Sequence, residues 1–280
     1  MTTVASRVIE SRDGTPIALF PIGSGPALVL VHGAAADHTT FRVIGPMLAE
    51  RFTVHAIDRR GRGASGGTPP YAIEREFEDV AAVADALAIE AGARVDVIGH
   101  SYGGRCALGA ARLTDSIRRG VSYEGAPSPP GLAYGDETLA GDLVDLELAG
   151  RDEALLEAFL RRVVGMDDAA LAAYRADPVW PLRVAAAHTI PREIAAEATS
   201  RAAALDALGQ VRQPVLQILG GDSVPSFREA TFALDERLAD GRVVVIEGAR
   251  HAAHHTHPDA TVEAIVSFLA AFLAEPERPP

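Results

Sequence analysis

The chain has no lysine, and all 26 of its fixed cationic side chains are arginine. That absence removes Schiff-base chemistry and the phosphate-binding lysine of a P-loop from consideration. Cysteine is nearly missing too. Cys106 stands alone, so no internal disulfide can form, which fits a reducing compartment. Its place after a strand, in a helical stretch, predicts a buried small side chain and not a reactive thiol. Positive charge is scarce against 38 acidic residues, and the net charge of −12 has the wrong sign for sequence-independent nucleic-acid binding or for anionic membranes. No apolar run reaches membrane-spanning length, and the first residues lack the apolar core of a signal peptide. The expectation is a soluble cytoplasmic protein with neither nucleic acid nor membrane as partner; the oligomeric state is left open.

What is present is a core. The 280 residues are 48% hydrophobic, enough for one large domain or a domain with an insertion. Strand patterns fall at 4–10, 16–21, 27–31, 53–57, 95–98, 119–123, 215–219 and 243–246. Helical spacing occupies 42–50, 73–91, 102–112, 227–238 and 261–273, and Gly92 marks one helix end. Strand and helix alternate with short connections, which predicts an α/β fold with a mostly parallel, doubly wound sheet. The alternation stops at Pro127-Ser128-Pro129-Pro130-Gly131, after which only short helical patterns divided by Pro178, Pro181 and Pro191 appear. The expected division is a core of residues 1–126 and 208–275, a helical insertion over 127–207, and a frayed tail at 276–280.

Ser101 lies in Gly99-His100-Ser101-Tyr102-Gly103, between the strand at 95–98 and the helix that follows. The pentapeptide alone is weak, and Gly63-Ala64-Ser65-Gly66-Gly67 also matches it. Ser65, however, is followed by Gly66-Gly67-Thr68-Pro69-Pro70, which cannot start a helix. A serine in a sharp strand-to-helix turn has its hydroxyl pushed clear of the backbone, and only glycines fit beside it. Ser101 is the candidate nucleophile.

A serine hydroxyl needs a base, usually a histidine oriented by a carboxylate. Of nine histidines, His251 follows the strand at 243–246 and so reaches the same sheet edge as Ser101. The carboxylate should also follow a strand. Asp222, in Leu219-Gly220-Gly221-Asp222, is preferred to Glu124, because the Gly-Gly turn leaves it free to point at the histidine. The order Ser, Asp, His is also the one that accompanies this kind of turn. Negative charge developing on a carbonyl oxygen calls for two N–H donors, for which Tyr102, at the helix start, and Ala34, after the strand at 27–31, are the candidates. His32 reads as a structural hydrogen-bonding residue.

Taken in order, His32-Gly33 followed by Phe41, Asp58 to Ser65, Gly99 to Gly104, Gly221-Asp222 and His251 resemble the α/β-hydrolase superfamily over nearly the whole chain. The resemblance implies that Asp58 and Ser65 belong to a structural loop and that the inserted helices form a cap over the site. It also implies that a serine at this turn disfavours dehalogenase or epoxide-hydrolase chemistry, which uses aspartate. Two departures stand out: a lean turn before Asp222, and Arg105 directly after the elbow, where a small or apolar residue is more usual.

The expected function is therefore a cofactor-free serine hydrolase cleaving a small or medium carboxylic ester or lactone. The alternatives are a carbon–carbon bond hydrolase or lyase on the same triad, and a ligand receptor on a hydrolase scaffold. His254, His255 and His257, close to His251, could suggest zinc, but Pro258 and the lack of a completing carboxylate argue against it. These histidines are expected to be exposed. Phe159, Met166, Tyr174 and Trp180 of the insertion are expected mainly to pack helices.

Overall fold

A computed structural model describes residues 7–67 and 69–271. Eight strands form one sheet, β1 (Arg7–Glu10), β2 (Pro16–Ile22), β3 (Ala27–Val31), β4 (Thr53–Ile57), β5 (Val95–His100), β6 (Ile117–Tyr123), β7 (Val215–Gly220) and β8 (Gly241–Ile246), in the order β1-β2-β4-β3-β5-β6-β7-β8. The first three in that order pair antiparallel and every later pair is parallel. The strands expected from sequence are all present. The start of the first, residues 4–6, and the tail at 276–280 lie outside the described residues.

Helices cover both faces. α1 (Ile44–Leu48), α2 (Ile73–Ala91) and α3 (Tyr102–Ala111) follow the early strands; α10 (Pro225–Asp235), α11 (Ala253–Thr256) and α12 (Pro258–Ala271) follow the late ones. Two successive residues of β3, Leu28 and Val29, face opposite layers. Val29 packs with Phe77, Val80 and Leu108 from α2 and α3, while Leu28 packs with Ile44, Leu48 and Leu269 from α1 and α12. Burial on both faces is why β3 reads as an unbroken apolar run.

Between β6 and β7 the chain makes only helices: α4 (Leu139–Leu148), α5 (Asp152–Arg162), α6 (Asp168–Arg175), α7 (Trp180–Ala186), α8 (Ile190–Thr199) and α9 (Leu205–Leu208). This insertion has its own apolar cluster, containing Leu143, Leu155, Leu156, Leu171 and Trp180, which continues onto Ala35, Leu219 and Phe227 of the core. Trp180 and Tyr174 meet edge to face at 5.6 Å between centroids, as expected of helix packing.

Charge also ties the insertion down. Glu193 of α8 reaches Arg59 at 2.5 Å and also pairs with Arg62, both from the loop after β4. Arg59 in turn grips Glu76 of α2 with two bonds of 2.7 Å. All four side chains are buried, so removing any one would leave an uncompensated charge in low dielectric.

Candidate active site

Three non-glycine residues among those described have positive φ: Ala35 at 46°, Ser101 at 54° and Glu124 at 45°. They follow β3, β5 and β6, which are neighbours in the sheet, and they mark one place on its carboxyl edge. A left-handed backbone at a residue with a Cβ costs free energy and persists where the surroundings hold it.

Ser101 caps α3 with φ 54° and ψ −128°, the sharp strand-to-helix turn. Its N–H donates to Tyr123 O at 2.8 Å, which fixes the turn against β6. A Cβ on Gly103 would lie 2.2 Å from Val31 O and 2.4 Å from His32 O, so only glycine lets α3 start this close to β3. A Cβ on Gly33 would be 3.0 Å from Ser101 Cβ, so the loop after β3 lies directly against the serine. Tyr102 opens α3 and its N–H has no intrahelical acceptor. Ala34, Ser101 and Tyr102 line one cavity of about 700 Å³ between core and insertion.

His251 follows β8 and is 7% exposed. The loop carrying it is held by Tyr123, whose hydroxyl donates to Arg250 O and accepts from Ala253 N–H at 2.8 Å. Phe227 of α10 stacks on the imidazole, with 4.3 Å between centroids and 13° between planes. Neither contact was foreseen from sequence.

The carboxylate beside His251 belongs to Glu124, not to Asp222. Glu124 Oε2 accepts from His251 Nδ1 at 2.6 Å; Oε1 accepts from Gly220 N–H at 2.7 Å and from Ser223 Oγ at 2.5 Å. Asp222 is exposed, and its own N–H donates to Ala249 O at 2.8 Å. That bond ties the short turn to the histidine loop and leaves the side chain outside, so the Gly-Gly turn does not aim it inward. The turn after β7 therefore supplies Ser223 and the Gly220 amide to a carboxylate that arrives from the adjacent strand.

His32 is structural, as expected: Nδ1 donates to Gly33 O at 2.9 Å and Nε2 accepts from Arg59 N–H at 3.0 Å. Burial first, and then the charge of Arg59, hold its pKa well below the ordinary histidine value. Ser65 is structural too, donating to Asp58 O at 2.5 Å and accepting from Ala18 N–H at 2.8 Å. Asp58 accepts from His38 N–H and Ala64 N–H, both at 2.8 Å, and holds the loop closed. Cys106 is buried.

The histidines after His251 differ from expectation. His254 is 3% exposed and packs 4.4 Å from the His100 ring, whose Nε2 donates to His251 O at 2.8 Å. α11 is only four residues long, so the run does not form one helical face. Among the described residues no three His, Cys, Asp or Glu side chains are placed to hold a metal ion. Phe159 does reach the cavity wall, beside Val163 and Ile190.

A sequence model of the alpha/beta hydrolase family matches residues 28–264. Among curated proteins, a 2-(acetamidomethylene)succinate hydrolase of Mesorhizobium japonicum is 29% identical over 89% of this chain and 90% of its own. A pimeloyl-[acyl-carrier protein] methyl ester esterase of Sodalis glossinidius is 30% identical over 86% and 92%. Among solved structures, an alpha/beta hydrolase of Sphaerobacter thermophilus superposes with a TM-score of 0.80 at 33% identity, covering 94% of this chain and all of that one.

Proposed function

The chain belongs to the α/β-hydrolase family, and from that premise we propose that it is a cofactor-free serine hydrolase of small or medium carboxylic esters or lactones. The observation that carries the reading is the Glu124–His251 pair standing at the strand edge that presents Ser101. In this mechanism Glu124 holds the His251 Nδ1–H, which leaves Nε2 to accept the Ser101 proton. Ser101 Oγ attacks the carbonyl carbon, and the Ala34 and Tyr102 N–H groups receive the charge that develops on its oxygen. His251 then returns the proton to the departing alcohol oxygen, and water, deprotonated in its turn by His251, releases the acid from Ser101.

A cavity of about 700 Å³ between the core and the inserted helices, with Ser101 in its wall, supports a small-molecule substrate. Two of the relatives are named for hydrolysis, one of a succinate derivative and one of a methyl ester, in keeping with acyl transfer to water.

Covalent labelling tests the assignment. A fluorophosphonate should add one equivalent at Ser101, and Ser65→Ala should label as the parent does. Steady turnover of an activated ester, lost in Ser101→Ala, separates an enzyme from a receptor. Label on Ser65, or none anywhere, would remove Ser101 from its role.

A further inference from the structure

Arg105 is the deeply buried cation of the cavity wall, 5% exposed and one helical turn beyond Ser101. Nη1 donates to Glu197 Oε2 at 2.5 Å and Nη2 to Ala126 O at 3.2 Å, while Nε has no hydrogen-bond partner among the described residues. The rings of Tyr134 and Tyr102 lie 5.3 Å and 5.7 Å from its Cζ. A guanidinium in such surroundings has donors to spare and little water to satisfy them.

Other charges on the wall are already matched. Glu193 is held by Arg59 and Arg62, Asp136 by Arg162, and Asp206 by Arg237. Arg201 and Glu137 are exposed. Among the described residues Arg105 has one carboxylate partner, Glu197 from α8 of the insertion. Burial, reinforced by the neighbouring Glu193, pushes Glu197 above the usual carboxylate range, against the pull of Arg105. A substrate carboxylate would compete with it for the guanidinium.

We propose that Arg105 is a specificity-determining residue that binds a carboxylate at the far end of the substrate's acyl group, in competition with Glu197. The inference rests on the Ser101 hydrolase reading and narrows its substrate class to half-esters or lactones of short dicarboxylic acids. Four residues of helix rise about 6 Å, which suits a second carboxylate a few carbons from the scissile carbonyl. The planar fork of arginine fits a carboxylate with two parallel bonds, which explains a large cation where a small residue would pack more easily.

The test compares kcat/KM for monomethyl glutarate with that for dimethyl glutarate, whose far carboxyl is neutralised. The parent should prefer the monoester. Arg105→Gln should lower the monoester-to-diester ratio by about 10- to 100-fold, mainly through KM, the loss expected for a charged hydrogen bond. Arg105→Lys should retain part of the preference, and Glu197→Gln should raise it. If Arg105→Gln and Glu197→Gln lower both substrates in proportion, the pair only anchors the insertion and the proposal is overturned. Thermal denaturation identifies a variant that does not fold, in which case Arg105→Lys and Glu197→Gln decide. Calorimetric binding of glutarate to Ser101→Ala, with and without Arg105→Gln, reads the same contact without turnover. Loss of all ester hydrolysis in the parent would therefore defeat the hydrolase reading, whereas glutarate binding indifferent to Arg105→Gln would defeat this one.

Discussion

Glu124 and Ser223 share a hydrogen bond of 2.5 Å, on a carboxylate whose other oxygen holds His251. Residues from the ends of β6 and β7 thus build one acid between them. β6 supplies the carboxylate, and the turn after β7 supplies two of the donors that fix it.

Glu124→Gln should therefore lower kcat for ester hydrolysis by about 10²- to 10⁴-fold, the range seen when a triad loses its orienting acid. Asp222→Ala should keep most of the activity. Ser223→Ala should fall between them, because it removes one of three donors. The reverse ranking of Glu124 and Asp222 in steady-state kinetics would return the acid to the turn after β7.

Much of this was legible in the sequence for a definite reason. Strands buried on both faces leave apolar runs such as Ala27–Val31, and a nucleophile turn needs glycine at fixed offsets from Ser101. The acid was less legible because its place depends on where a turn points its side chain. Asp222 and Glu124 both follow strands at the same edge; only the Asp222 N–H bond to Ala249 O, made in three dimensions, turns the aspartate outward. Phe227 and Tyr123 had no local signal at all, since a ring stacked on a histidine or bonded to its loop reads as core in one dimension. Burial of His254 was missed likewise, because polarity alone suggested solvent.

The packing around the elbow makes a stability prediction with an internal control. Gly103→Ala would drive a methyl into Val31 O and His32 O, and should cost about 3 kcal/mol or more and abolish activity. Gly141, in α4, is exposed with nothing near the place of a Cβ. Gly141→Ala should therefore gain about 0.5–1 kcal/mol by restricting the unfolded chain. Chemical denaturation reads both; a Gly103→Ala protein as stable as the parent would mean that α3 does not start this close to β3.

The His251–Glu124 pair can do the acid–base work without an ion, so EDTA should leave ester hydrolysis unchanged, and His257→Ala should retain most activity. Its Nδ1 meets Thr256 Oγ1 at 2.9 Å, and it does not line the cavity that holds Ser101. Loss of activity on chelation, restored by zinc, would replace the triad with a metal mechanism.

Buried histidines set the response to acid. His100 is held well below its ordinary pKa by burial and then by the neighbouring His251 ring; His254 is held down by burial and then by His100 and His255. Both stay neutral in the folded protein while the unfolded chain takes up protons near pH 6.5. Below that value the unfolded state binds more protons than the folded one, so stability is full above pH 6.5 and falls as the pH drops. Each such histidine contributes a slope of up to about 1.4 kcal/mol per pH unit. Thermal denaturation between pH 7.5 and 5.0 should show this loss. His254→Leu, which removes one titrating ring whose Nδ1 has no hydrogen-bond partner, should flatten it. An acid limb unchanged in His254→Leu would mean that His254 takes up its proton in the folded state, and His254 would then not be a source of the acid sensitivity.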